Sequence, residues 1–346
     1  MLLDYPGERR ALENLRSDGG LVNATPAIQI VGGKSRPLSA NAVREQVKRL
    51  VPALDGQMFY LDFVRAKPDR LLSFRQEKLT TAALVYMQAS KRGLRFIPVL
   101  GISGSDRCLN AVADAAMTEG RGAALRVPLL GKAVPGGKKL SALINDRVAK
   151  MGLDRKDVDL WFDLGYLTED FDVPARRIER MLEGYVASGS WRRVVLTGGS
   201  MPSSLGAVPE NSTRFLPRRE WQLWSKLSSG LRDGLDYGDY GIQNPRPPAI
   251  DTKRGGIGRS NIRYTTEDRY LIARGKGPTS QVGTTQYAGL CRDLMRHKCF
   301  RSADYSWGDK VISLCGDELI EPETQGMWRA AGMAHHITLA QEQLSS

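Results

Sequence analysis

The sequence predicts an α/β protein: a TIM-like (β/α)8 barrel with a β-hairpin insertion after strand 8 and a C-terminal helix. Apolar runs of strand length alternate eight times with amphipathic runs of helical length, which is the pattern of a parallel sheet. The repeats fill about 240 residues, close to the ~250 a closed barrel takes. A doubly wound open sheet is the runner-up, and the GxGxxG that usually marks it is missing after the first strand.

The elements follow in order. Leu2–Tyr5 is a short apolar start and Glu8–Leu15 has helical spacing. Thr25–Val31 reads as a strand. Ser39 then caps a helix running to Leu50, with Val43, Val47 and Leu50 on one face. Met58–Val64 is the third strand and Ser73–Arg92 the third helix. Phe96–Ile102 precedes the helix Ser105–Met117, and Ala123–Leu130 precedes Lys139–Met151. Val158–Leu164 is the sixth strand. The helix Pro174–Tyr185 follows, with Pro174 suited to a first helical turn. Arg193–Thr197 is the seventh strand, and its helix, Arg218–Leu227, comes only after a long loop. Leu235–Tyr240 is the eighth.

The alternation breaks after Pro245. Residues 246–260 are rich in Pro, Gly and basic residues and read as a loop. Asn261–Thr266 and Arg269–Gly275 alternate with period two around Glu267-Asp268, which predicts a β-hairpin. A helix over Thr285–His297, a β-like piece Lys310–Cys315 and a last helix from about Gln325 complete the chain. The expected organisation is one decorated barrel. Residues 1–245 form its strands and helices, 246–281 an insertion on its C-terminal face, and 282–346 the closing helix and C-terminal segment.

Composition narrows the class. The 346 residues are 41% hydrophobic, with a mean hydropathy of −0.33. No apolar run has the ~20-residue length that crosses a bilayer. The start has an acid at Asp4 and no apolar signal region, so a cytoplasmic protein is expected. Cys108, Cys291, Cys299 and Cys315 make no CxxC pair and read as free thiols. Three histidines argue against a His-rich metal site. The net charge of +12 suggests a phosphate-bearing or nucleic-acid partner, or a basic source proteome.

Barrel sites gather at the C-terminal ends of strands, so polar residues there are the candidates. Asp62, Asp163 and Asp239 end the third, sixth and eighth strands and are the candidate catalytic carboxylates. The alternative is that each is a structural partner of an arginine or a helix-entry cap. Asp239 is favoured because Gly238 and Gly241 let the chain bend beside it. Converging carboxylates would hold Mg²⁺ or share a proton, although no motif specifies a metal. Gly198, Gly199 and Ser200 end the seventh strand, where barrels often bind phosphate with backbone amides. Arg263, Tyr264 and Arg274 on the hairpin, and Lys253, Arg254 and Arg259 in the loop, are candidates for phosphate or nucleic acid. Arg65, Trp307, Asp309 and His335 are further pocket candidates. The expected arrangement puts Asp239 in the mouth, oriented by Arg263 or Arg274, with phosphate opposite on the Gly198–Ser200 amides.

Several segments carry a resemblance. Tyr237-Gly238-Asp239-Tyr240-Gly241 with Pro245, Ile262-Arg263-Tyr264, Leu271–Gly275, Ser306-Trp307-Gly308-Asp309 and His335–Thr338 together resemble the beta protein family of phages and bacterial mobile and defence-associated loci. The opening, with Gly7-Glu8 entering a helix, is also similar. It departs from the family at Asp4, where a lysine is expected. The resemblance implies a barrel-like fold and a role in phage–host conflict, with no established reaction. Three functions stay open: a defence-type component whose barrel mouth binds phosphate, nucleotide or nucleic acid; a barrel enzyme acting on a phosphorylated small molecule or nucleotide; and a scaffold for a partner protein. Converging carboxylates would favour an enzyme, and separately salt-bridged ones a scaffold.

Overall fold

A computed structural model describes residues 1–17, 21, 24–32, 38–63, 66–129, 137–169, 175–231, 234–245, 259–278, 284–322 and 325–345. The chain forms two compact units. Unit 1 holds residues 1–4, 25–199 and 220–240, and unit 2 holds 5–24, 200–219 and 241–346.

Unit 1 is an eight-stranded parallel sheet with helices along the chain between its strands. The strands in sheet order are β1 (Leu2–Leu3), β2 (Ala27–Gln29), β3 (Met58–Asp62), β6 (Arg95–Gly101), β7 (Ala123–Pro128), β8 (Val158–Tyr166), β9 (Arg193–Gly199) and β11 (Asp236–Asp239). Sheet order follows chain order. The edge strands β1 and β11 share no ladder among the described residues, but the Met1 backbone nitrogen donates to the Asp239 carbonyl.

Alternation sorts the side chains of this sheet. Ala27, Tyr60, Ile97, Val99, Ala124, Trp161 and Val195 form one buried cluster on its inner face. The opposite face meets the helices: Phe96 stacks on Tyr86 of α3 (Thr81–Ser90), and Phe162 packs on Tyr185 of α6 (Ala175–Ala187). The helices start where the sequence supplies caps. Ser39 caps α2 (Ala40–Leu54) and Ser105 caps α4 (Asp106–Glu119), each hydroxyl accepting a first-turn N–H. Helices α5 (Gly137–Lys150) and α7 (Arg219–Gly230) complete the set. Near the N-terminal strand ends, Arg192 clamps Asp159 through Nε at 2.7 Å and Nη2 at 2.6 Å, while Tyr60 donates to the same carboxylate at 2.7 Å. A buried carboxylate needs such pairing to be tolerated.

Unit 2 contains α1 (Pro6–Ser17), a three-stranded antiparallel sheet and the C-terminal helices. The sheet runs β10 (Ser212–Pro217), β13 (Arg269–Pro278), β12 (Arg259–Thr265). Helices α8 (Gln286–Met295), α9 (Trp307–Gly316) and α10 (Gln325–Ser345) follow. Ile262, Tyr264, Leu271 and Ala273 on one face of the sheet join Leu290, Ile312 and Trp328 from these helices in a single core.

Several expectations need correction. Residues 73–92 are not one helix: β4 (Leu71–Phe74) and β5 (Glu77–Thr80) form an antiparallel hairpin first. Its turn places Arg75 at φ 55, and Thr80 caps α3 by accepting Ala83 N–H, so the helix begins later. Lys310–Cys315 is helix rather than strand. The Ser306 hydroxyl accepts from Asp309 N–H and starts α9, and burial all round the helix hid its period in a short β-branched run. The long loop after the seventh strand contains β10. The second strand is only Ala27–Gln29, the third stops at Asp62 and the eighth at Asp239. The hairpin over 261–275 is present, longer than expected, with Thr266 N–H donating to Arg269 across its turn. Pro174 and residues 246–258 of the expected loop lie outside the described residues.

Candidate functional site

The inner face of the unit 1 sheet becomes polar one step beyond its apolar cluster. Gln29 follows Ala27 by two residues, Asp62 follows Tyr60, Arg126 follows Ala124 and Asp163 follows Trp161. Period two therefore puts all four on the same face, toward the C-terminal strand ends. They converge on one guanidinium. Arg126 Nε lies 3.3 Å from Asp62 Oδ2, and Nη1 lies 3.4 Å from Asp163 Oδ2. Gln29 donates to Asp62 Oδ2 at 3.3 Å, and the Tyr240 hydroxyl donates to Asp163 Oδ2 at 2.7 Å. The other carboxylate oxygens accept backbone N–H groups, Phe63 to Asp62 and Gly165 to Asp163.

Two consequences follow for charge. Burial alone would weaken the Arg126 cation, but Asp62 and Asp163 outweigh it and hold its pKa above the ordinary value. Burial, reinforced by the Asp163 charge, pushes the Tyr240 phenol well above its usual range, so it is a neutral donor. Both carboxylates are spent on orienting the guanidinium. Gly101 stands next to Arg126 Nη2. A Cβ there would come 3.9 Å from that nitrogen, so the absent side chain leaves room. The Arg126 side chain keeps 16% of its exposure, while Asp62 and Asp163 keep 3% and 7%.

The sequence candidates divide among several surroundings. Asp62 and Asp163 do converge. Asp239 shares a face of β11 with Tyr237, whose hydroxyl donates to it at 2.8 Å and whose ring packs on Trp221 and Trp224 of α7, and its charge acts with those of Asp62 and Asp163 on the buried Met1 amine. Tyr240, the next residue, supplies the side chain that reaches Asp163. Gly198 packs under α7, where a Cβ would meet Leu167, Glu220 and Leu164. Gly199 ends β9 and its carbonyl accepts from Leu167. The Ser200 hydroxyl donates to the Pro217 carbonyl and accepts from Arg219 N–H, so it ties a loop together.

In unit 2, Tyr264 is fully buried. It donates to Asp309 at 2.7 Å and stacks on His335. His335 bridges Asp309 and the Thr265 carbonyl at 2.8 Å each. These three side chains and Trp307, which packs on the same core, hold the helices against the sheet. Arg263 and Arg274 line a cavity of about 480 Å³ with Ser204, Leu205, Gly206, Asn261 and Gln325. Arg65, Lys253 and Arg254 lie outside the described residues, as does the side chain of Arg259.

Sequence reasoning missed Arg126 and Tyr240. The signal for Arg126 was present: a lone charge in the apolar strand Ala-Ala-Leu-Arg-Val, the same signature that singled out the aspartates. Among the described residues no three His, Cys, Asp or Glu side chains cluster as a metal site. The Asp62 and Asp163 oxygens are already committed to Arg126 and its neighbours, which does not suit Mg²⁺. No helix among the described residues is long and apolar enough to cross a membrane.

No curated protein matches the chain. Among solved structures, a GH138 enzyme targeting pectin rhamnogalacturonan II aligns at 10% identity and a TM-score of 0.39, over 78% of this chain and 32% of its own. This chain thus spans about a third of that protein. D-psicose 3-epimerase, solved with D-fructose, aligns at 12% identity and a TM-score of 0.31, over 67% of this chain and 78% of its own. The biosynthetic arginine decarboxylase of Campylobacter jejuni aligns at 12% identity and a TM-score of 0.32, over 99% and 61%. The model of the family described as Beta protein matches residues 5–341, nearly the whole length, and the chain belongs to that family.

Proposed function

We propose that the strand-end cluster of unit 1 is the binding centre for a small polar ligand, with Arg126 as its anchor. The observation that carries this reading is the pinning of one guanidinium by two carboxylates from different strands, next to a glycine that adds no side chain beside its Nη2. A positioned donor at the C-terminal ends of parallel strands is where such folds place ligands. The reading includes closure of the eight strands into a barrel, supported by the Met1–Asp239 backbone contact between the edge strands. It also keeps the wider role suggested by the family: a cytoplasmic component of phage–host conflict.

The charge balance selects the ligand. Two carboxylates against one guanidinium and the nearby Met1 amine, whose charge burial weakens, leave the cluster with no positive excess. A carbonyl or hydroxyl oxygen suits Arg126 Nη2 better than a bare polyanion, so the portion held here would be the uncharged part of a nucleoside or sugar. The convergence of Asp62 and Asp163 favours a site over a scaffold. No group in the cluster is poised as a general base, since each carboxylate already accepts on both oxygens. This makes binding the better-supported reading and an enzyme acting on a nucleotide or phosphorylated small molecule the second.

Gly101→Leu tests it. Removing Arg126 instead would strand two buried carboxylates at roughly 3–5 kcal/mol. The leucine fills the space beside Nη2 and leaves every charge in place. Thermal-shift titration against nucleosides, sugars and nucleotides should give stabilisation with wild type that is lost in Gly101→Leu. Equal stabilisation of both proteins would remove the cluster from ligand binding.

A further inference from the structure

We propose that the unit 2 cavity is a second, separate site that takes a small phosphorylated molecule, with its phosphate seated between Arg263 and Arg274. Four observations carry this. The first is placement. Asn261 pairs directly with Arg274 across the β12–β13 ladder and Arg263 lies two residues further on, so all three project from one face of the sheet. Diagonal neighbours of this kind are about 7–8 Å apart, a gap that one phosphate spans with charge-assisted bonds to each side.

The second is the supply of donors. A guanidinium carries five N–H groups. Arg274 spends Nη1 on the carbonyls of Leu205 at 2.9 Å, Gly206 at 3.1 Å and Val208, which fixes its orientation. Arg263 spends Nη1 on the Ile242 carbonyl at 2.7 Å and Gln243 Oε1 at 3.4 Å. Its Nε and Nη2 have no partner among the described residues. Two arginines whose hydrogen bonds are to carbonyl and amide oxygens, with donors remaining, form a prepared anion seat.

The third is charge. Among the described residues no carboxylate lines the cavity. Glu210 stands 3.9 Å from Arg274 but is 38% exposed. Burial and then the neighbouring Arg329 lower the Arg263 pKa to about 10, with Glu8 opposing them. An incoming anion would relieve that under-compensated cation. The fourth is size. A cavity of about 480 Å³ falls in the range of ~300–1,000 Å³ typical of small-molecule pockets and exceeds what bare phosphate occupies. Asn261, Gln325 and Ser204 supply a polar lining beside the two arginines.

Calorimetric titration of the full chain tests this with adenosine monophosphate, ribose 5-phosphate, adenosine, inorganic phosphate and a short oligonucleotide. A phosphomonoester should bind roughly tenfold or more tightly than adenosine or inorganic phosphate. Gln325→Glu should weaken it at least tenfold by placing a like charge in the cavity. That substitution touches none of the arginine–carbonyl bonds, and an acid in the first turn of α10 suits the helix dipole; the ligand-free melting temperature, measured alongside, separates a loss of binding from a loss of folding. Arg263→Gln should weaken binding to a similar degree; if it unfolds, Gln325→Glu decides alone. Gly101→Leu, in the other unit, should leave phosphomonoester binding unchanged. No binding of either phosphomonoester at millimolar concentration overturns the proposal. So does binding of only inorganic phosphate or the oligonucleotide, or unaltered binding by Gln325→Glu.

Discussion

Glu8 has both carboxylate oxygens buried without a hydrogen-bond partner among the described residues, and it is 1% exposed. Burial raises its pKa, with Arg329 and Arg263 pulling in the opposite direction. A folded-state value above the unfolded one means that the stabilisation is complete at acid pH and is lost as pH rises through the folded value. Glu8→Gln should therefore gain on wild type as pH climbs from about 4 toward neutrality. Melting curves across that interval check the sign, and a difference that shrinks with pH would show Glu8 acting as a paired carboxylate. Asp62 and Asp163 illustrate what was legible at this scale. An isolated charge at the end of an apolar strand is visible in sequence, and both were found. The face of β11 was not legible, because Tyr237 and Tyr240 are chemically alike and only the packing of Trp221 and Trp224 decides which one turns inward.

Among elements, α9 shows why local pattern failed. Val311 and Ile312 favour strand locally, yet Gly308 lets the helix approach α10. A Cβ at Gly308 would sit 2.0 Å from the Ala331 carbonyl oxygen. Gly308→Ala must push the two helices apart and should cost roughly 1–3 kcal/mol, the range for overpacking a filled core. Chemical denaturation measures it, and a cost below about 0.5 kcal/mol, the scatter of neutral surface changes, would show that the helices can separate freely. The Ser306–Asp309 segment that resembles the family is thus explained by structure. Ser306 caps the helix, Gly308 permits its approach, and Asp309 accepts from Tyr264 and pairs with His335. The β4–β5 hairpin was missed for a different reason: four-residue strands carry too few alternations to separate them from the first turn of a helix.

For the whole molecule, the alternation of eight apolar runs sufficed to find the parallel sheet and its strand order. It did not reveal two units, because period and length describe elements and are silent on which elements pack together. The net charge of +12 belongs to this scale. If it serves a polyanion, binding to nucleic acid should fall steeply with salt, since each neutralised phosphate releases counterions. Filter binding of single- and double-stranded DNA and RNA at 50 and 200 mM salt should show a loss of about 10³-fold or more if six or more phosphates are contacted. Affinity that does not change with salt would assign the charge to the background composition of the chain.

Unit 2 is assembled from three separated stretches of chain. Its central strand, β13, pairs with β10, which is encoded some 50 residues earlier, and α1 packs along α10 at the far end of the sequence. During synthesis at about 5–20 residues per second, α1 emerges long before α10 and waits for its partner. Over that interval its apolar residues Ala11, Leu12 and Leu15 have no native covering. The nascent chain therefore carries an unfinished surface at α1 until α10 leaves the ribosome, so shielding by a holding chaperone matters most for this early segment.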